Sequence, residues 1–184
     1  MQTYETQRVR LRGWLEADLV PFAAMNADPE VTEFLPGPMT RAESDGFVDR
    51  IRTQFQERGF GVFATEERGS GEFMGFVGLA VPSFEASFTP CVEVGWRLAR
   101  AHWGKGYATE AAREALRIGF ALHNLSEIVS FTVPQNVRSQ AVMQKLGMRH
   151  DPADDFEHPR LPKGHRLRSH VLYRMSNDGG AANA

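Results

Sequence analysis

Hydrophobic and polar positions along the chain switch repeatedly between a two-residue and a three-to-four-residue period, and the switches mark the elements. Arg8, Val9, Arg10, Leu11 and Arg12 alternate, the pattern of a half-buried strand. Leu15, Leu19, Phe22 and Ala23 recur at helical spacing, with Glu16 and Asp18 in the first turn, where the helix dipole favours acidic groups. That helix should end before Asp28-Pro29, and Phe34-Leu35-Pro36-Gly37-Pro38 should be a loop, because its prolines fix φ and donate no N–H. Thr40 and Glu43 form a capping box ahead of an apolar stripe of Phe47, Val48, Ile51 and Phe55, and Gly59 stops the helix. Phe60 to Thr65 and Phe73 to Val81 are strand-like runs joined by the polar turn Glu66-Glu67-Arg68-Gly69-Ser70-Gly71.

After a loop from Pro82 to Pro90, the run from Val92 to Ala112 passes from strand to helix through Gly104-Lys105-Gly106. The helix from Ala108 to Asn124 places Ala112, Ala115, Leu116, Gly119, Phe120 and Leu122 on its apolar side, and Ile128 to Val133 is a β-branched run suited to a buried strand. Asn136 caps a further helix carrying Ala141, Val142 and Leu146 and closed by Gly147. Residues 151–168 are polar and irregular, and Arg168 to Met175 is a last strand. The order predicts an α/β or α+β domain over residues 1–176, helices on both sheet faces, and a disordered tail over 177–184.

Composition narrows the function classes. A net charge of −2 offers no polybasic field for nucleic acid or an anionic membrane, and no apolar run of about 18 residues could span a bilayer. The first twelve residues contain no apolar signal core, and the lone Cys91 cannot make an internal disulfide, so a cytoplasmic location is expected. Four histidines, His150, His158, His165 and His170, fall near the C-terminus, but their spacing matches no zinc pattern and no metal site is expected.

The glycine loop carries the first chemical signal. Glycine lets a ligand approach the backbone closely, and the helix start presents unpaired N–H groups with a positive dipole end, so a phosphorylated ligand is expected there. No Ser or Thr follows Lys105, which disfavours a Walker loop, and the third glycine of a dinucleotide fingerprint is missing.

The run Gly104-Lys105-Gly106-Tyr107-Ala108-Thr109-Glu110-Ala111 resembles the acetyl-CoA-binding motif of the GNAT family of N-acetyltransferases. Val92-Glu93-Val94-Gly95-Trp96 is similar to that family's fourth strand, Asn136-Val137-Arg138-Ser139 to its second cofactor-contact motif, and Lys145-Leu146-Gly147-Met148 to the helix end before its sixth strand. The resemblance covers about Arg8 to Met175 and looks closest to the branch of the ribosomal-protein N-terminal acetyltransferases. One departure stands out: the family often has Arg or Gln where this chain has Trp103.

The resemblance implies a mixed sheet of six or seven strands, splayed between the fourth and fifth. It implies a cofactor site in which the backbone of Trp96 and Leu98 pairs with the pantetheine arm, and an N–H near Leu98 faces the thioester oxygen. N–H groups from Trp103 through Gly104, Lys105, Gly106, Tyr107 and Ala108, with Thr109 in the same turn, would hold the pyrophosphate. Asn136 would contact the pantetheine amides and Ser139 the leaving thiolate, with Tyr107 and Tyr173 as rival donors. Glu93 would take a proton from an incoming primary amine, which attacks only when neutral. Trp14, Phe34, Leu35, Phe156, His158 and Arg160 would line the acceptor groove. The activity implied is acetyl transfer from acetyl-CoA to a peptide N-terminus, a small-molecule amine or a polyamine, by direct attack in a ternary complex; a homodimer is a further expectation. A non-catalytic CoA-binding module on the same fold is the alternative. Each of Asn136, Glu93 and the glycines also has a purely local reading, as helix cap, solvent-facing strand residue and turn.

Overall fold

A computed structural model describes residues 2–177; of the expected tail, Asn177 alone falls among them, where its N–H donates to the Ser126 carbonyl at 2.8 Å. Among these residues nine strands, β1 (Tyr4–Glu5), β2 (Val9–Arg12), β3 (Val62–Glu67), β4 (Phe73–Ala80), β5 (Glu93–Leu98), β6 (Glu127–Thr132), β7 (Arg149–His150), β8 (Phe156–Glu157) and β9 (Ser169–Ser176), form one mixed sheet in the order β1-β2-β3-β4-β5-β6-β9-β7, with β8 also on β9. Six or seven strands were expected. The extra ones, β1, β7 and β8, have two residues each, too few to register as a hydrophobic period.

Among the described residues four α-helices accompany the sheet: α1 (Leu19–Ala27), α2 (Arg41–Arg58), α3 (Tyr107–Arg117) and α4 (Val137–Leu146). The Thr40–Glu43 capping box starts α2, and Gly59, at φ 75°, ends it in the left-handed conformation that glycine adopts without penalty. Phe76 of β4 meets Phe22 of α1 and Phe47 of α2 on one sheet face. On the other face the helical segment continues α3 as a π-turn over Ile118–Leu122, where a Cβ on Gly119 would meet Ile128 Cδ1 at 2.6 Å and Leu79 Cδ1 at 3.0 Å. Helices therefore cover both faces, meeting Phe76 of β4 on one and Leu79 on the other.

Every neighbouring pair in the sheet is antiparallel except β5 and β6, which run parallel and share a single registered pair, Glu93 with Val129. The Val129 N–H donates to the Val92 carbonyl at 2.9 Å, and beyond Glu93 the strands part. On the other edge of β5, the Ala99 N–H donates to the Met74 carbonyl at 2.8 Å. Backbone groups alternate sides along a strand, so odd-numbered residues of β5 pair with β4 while Trp96 and Leu98 present theirs to the gap. Apart from a register shift between Thr65 and Glu66 where β3 meets β4, this gap is the one break in the ladder between adjacent long strands among the described residues. No helix among them is long and apolar enough to cross a membrane.

Candidate active site

A cavity of about 710 Å³ occupies the gap between β5 and β6, running from α2 on one face of the sheet to α3 and α4 on the other. One half is built from the loop before α3. Gly104 (φ 75°) and Gly106 (φ 84°) both hold left-handed backbone, so an L-residue at either would be strained. Arg8 grips the loop from behind: its Nη1 donates to the Lys105 carbonyl at 2.9 Å, its Nη2 pairs with Glu110 at 2.6 Å, and its guanidinium lies 5.0 Å from the Tyr107 ring centre. With Lys105's carbonyl drawn to Arg8, the N–H groups of Gly104 through Thr109 find no backbone acceptor, and they lie at the positive end of α3. Trp103 departs from expectation: its own N–H is spent on the Arg100 carbonyl at 3.1 Å, so the unengaged run starts one residue later. Its indole Nε1 donates to the Leu98 carbonyl at 2.7 Å, and Arg138 stacks over its ring at 4.3 Å.

Asn136 and Ser139 form the side of the cavity beneath α4. Asn136 Oδ1 accepts from the Ser139 N–H at 3.2 Å, a side-chain cap, while its Nδ2 donates to Thr132 Oγ1 at 3.0 Å and to Ser139 Oγ at 3.2 Å. Ser139 Oγ is thus an acceptor toward Asn136, which leaves its own O–H free to donate into the cavity. Replacing Asn136 by Ala should lower unfolding free energy by about 1 kcal/mol through loss of the cap, read as an earlier urea midpoint. Neither rival donor is available to the cavity. Tyr107 is buried with its O–H donated to Glu67 Oε1 at 2.5 Å, and Tyr173 is buried against Gln140, Gln144 and a stacked His150.

The other half lies over β4 and β5. Register places Ala80 beside Glu93, Gly78 beside Gly95, and Phe76 beside Arg97, so these six residues form one floor. The Glu93 side chain has no hydrogen-bond or ion-pair partner among the described residues, and enclosure pushes its carboxyl up from 4.5 to about 8. Arg97 Nη1 donates to Asn26 Oδ1 at 2.7 Å, and burial pulls its guanidinium down to about 10, still charged at neutral pH. Cys91, the one cysteine, is pushed up to about 11 by burial and by nearby Glu93, so it is a poor nucleophile near neutrality.

The profile of the acetyltransferase (GNAT) domain matches residues 8–149, most of the chain and all of the cavity's strand and loop walls. The chain belongs to the GNAT acetyltransferase family. YkkB of Bacillus subtilis (strain 168), an uncharacterized protein, is 32% identical over 148 residues, spanning 79% of this chain and 84% of YkkB. An acetyltransferase from Agrobacterium tumefaciens str. C58 superimposes with a TM-score of 0.76 at 27% identity, over 95% of this chain and 94% of that one. The ribosomal-protein-S5-alanine acetyltransferase of Vibrio fischeri shares the fold at a TM-score of 0.76 and 17% identity, over 97% and 98% of the two chains.

Within this GNAT fold the sequence-predicted residues separate into two groups. Glu93, Trp96, Leu98, Trp103, Gly104, Gly106, Tyr107, Ala108, Thr109, Asn136, Ser139, Phe34 and Leu35 all border the cavity, with Lys105 at the apex of the same loop. Trp14 does not: it is 7% exposed, packs on Phe22 and Phe73, and spends its Nε1 on the Val62 carbonyl at 2.9 Å, so it is a core residue. Phe156 and His158 sit outside as well, in an aromatic cluster with Phe84, Phe88, Phe131 and His170, and only Phe131 of that cluster reaches the cavity. Arg160 is turned onto Ser83, donating to its carbonyl and hydroxyl. The His158 and His170 rings are 5.2 Å apart and burial lowers both pKa values; no group of three or more His, Cys, Asp or Glu suited to a metal occurs among the described residues. Arg8, Asn26 and Arg97 were missed. Arg97 was legible in principle, because strand alternation puts it on the face of Glu93.

Proposed function

We propose that the chain transfers the acetyl group of acetyl-CoA to a primary amine by direct attack within a ternary complex. The observation that carries this reading is the convergence on one cavity of six unengaged N–H groups, the free edge of β5, and the unpartnered Glu93 with Ser139. The cofactor fits that arrangement. A pyrophosphate at Gly104 through Thr109 would satisfy the orphan donors at the start of α3, and an extended pantetheine arm would pair with Trp96 and Leu98 where β6 does not. When bound, the group supplies an activated acetyl thioester. The donor bond from Trp103 Nε1 to the Leu98 carbonyl holds the place of one such pairing.

The chain's own residues then divide the work. Glu93 removes the ammonium proton, directly or through water, and the neutral amine then forms the carbon–nitrogen bond as the carbon–sulfur bond breaks. Backbone N–H groups on the open edge of β5 stabilise the charge that develops on the acyl oxygen. The Ser139 hydroxyl donates to the sulfur as it leaves. Ser139→Ala should therefore lower kcat by about tenfold while leaving the KM for acetyl-CoA nearly unchanged, because the lost hydrogen bond belongs to the transition state.

Release of free thiol from acetyl-CoA, measured against N-terminal peptides, free amino acids, polyamines and aminoglycosides, tests the proposal. Amine-dependent thiol with a matching acetylated product supports it. Calorimetric binding of acetyl-CoA with no thiol release from any amine would instead favour a ligand-sensing module.

A further inference from the structure

The acceptor half of the cavity contains a charge that the proposed acetyl transfer does not use. Arg97 points from β5 toward α1 and α2, with its guanidinium 5.9 Å from the Phe47 ring centre and 5.3 Å from that of Phe76. Its one hydrogen-bond partner among the described residues is neutral: Asn26 Oδ1, at 2.7 Å. Asn26 is itself fixed, fully buried and donating through Nδ2 to Ser44 Oγ at 2.9 Å, so the guanidinium is held in place by a chain of neutral groups. A guanidinium has five N–H donors, and one is accounted for here. Among the described residues no carboxylate pairs with it, and desolvation alone accounts for its lowered pKa. An enclosed cation without an anion is costly. The cost persists in folded proteins where a ligand supplies the missing charge.

Two further groups converge on the same place. Gln54 of α2 lines the cavity, and its Nε2 is the one buried side-chain polar atom without a hydrogen-bond partner among the described residues. Arg50, one turn earlier on α2, stands at the exposed rim over Phe47 at 5.6 Å, also without a carboxylate. The nearby acids are committed elsewhere, Glu30 to Arg100 and Glu33 to Arg138. What remains free is Glu93, four residues from Arg97 on the same face of β5, with side-chain-free Gly95 and Gly78 between them. The two Cα atoms are about 13 Å apart along the strand, and both residues line the same cavity. The walls above are apolar: Val31, Phe34, Leu35, Phe47, Ile51 and Phe76.

We infer that the acceptor is a small amine that also carries a carboxylate, an amino acid with an apolar side chain, whose carboxylate docks on Arg97 and Gln54 while its amine faces Glu93. The inference rests on the transferase reading above and narrows it: a protein N-terminus, whose α-carboxyl is an amide, and a polycation would both leave Arg97 unanswered. Planar bidentate pairing with a carboxylate is the interaction an arginine fork is shaped for.

The test compares thiol release with phenylalanine, methionine and leucine against the corresponding amino-acid amides, with rates referred to the concentration of neutral amine. The carboxylates should be favoured in kcat/KM by roughly tenfold or more, the worth of a hydrogen bond to a charged group, and Arg97→Gln should collapse the preference to about one. Equal or better use of the amides, or a preference that survives Arg97→Gln, overturns the inference while the transferase reading stands. A second arm needs no turnover. With CoA present, N-acetylphenylalanine should raise the thermal midpoint of the wild-type protein, and N-acetylphenylalaninamide should not. If that carboxylate-specific shift appears and no amine releases thiol, the anion site stands and the transferase reading falls. If the shift is absent, or equal for the two compounds, the anion site falls. Should Arg97→Gln fail to fold, Gln54→Met removes the unpartnered donor from a half-exposed helix position and should reduce both the preference and the shift.

Discussion

Glu93→Gln should lower kcat by about a hundredfold or more near pH 8, the usual scale for losing a positioned general base. Its pH dependence is the sharper signature. Enclosure holds the wild-type carboxyl protonated up to about 8, so the basic form grows tenfold for each unit below that value and levels above it. The variant should retain only the titration of the amine itself. Stability should move in the opposite sense. Between its ordinary value of 4.5 and its raised value of about 8 the folded state holds a proton that the unfolded chain has lost, so wild-type stability falls as pH rises across that window and then levels. Glu93→Gln cannot lose that proton and should gain on the wild type as pH rises. Unfolding midpoints and initial rates, collected for both proteins from pH 5 to pH 9, read the two effects together. A rate profile unchanged by the substitution would remove Glu93 from the mechanism.

Gly75→Ala should be the most damaging single change to the site's framework. Gly75 lies in β4 at φ 138°, a region that L-residues rarely enter, and an added Cβ would sit 2.2 Å from the Arg97 carbonyl and 2.9 Å from Leu98 Cα. Nothing flexible can yield there, because both contacts are backbone of β5. Relief requires β5 to move away from β4, displacing the segment that carries Trp96, Arg97 and Leu98. Strained φ alone costs about 1–3 kcal/mol, and with the clash the loss should exceed about 3 kcal/mol. Urea unfolding should show that drop, and calorimetry should show weakened acetyl-CoA binding in whatever fraction folds. An unchanged midpoint would mean that the sheet adapts locally and the β4–β5 pairing is not fixed as described.

Much of this architecture is legible in the sequence, and the reasons are local. The Thr40–Glu43 capping box and Gly59 delimit α2 because caps satisfy specific orphan N–H and C=O groups. Asn136 and Gly147 delimit α4 in the same way, and the paired glycines before α3 report two left-handed positions. What sequence reading missed depends on contacts distant in the chain. Three two-residue strands exist only because longer strands offer them an edge. Trp14 has the composition of a groove residue and the location of a core one, settled by its bond to the Val62 carbonyl. Phe156, His158 and Arg160 pack against the loop carrying Ser83, Phe84 and Phe88, a docking no periodicity encodes. Arg8, some hundred positions before the loop it grips, has no local signal at all.

Acyl transfer in a ternary complex is tested most directly by initial rates of thiol release with acetyl-CoA and amine concentrations varied together. Because Cys91 is raised to about 11 and Glu93 is the base we propose, no acyl-enzyme should form, and double-reciprocal plots should intersect. Parallel lines would report a covalent intermediate, and thiol release independent of the amine would report hydrolysis; either would contradict the account.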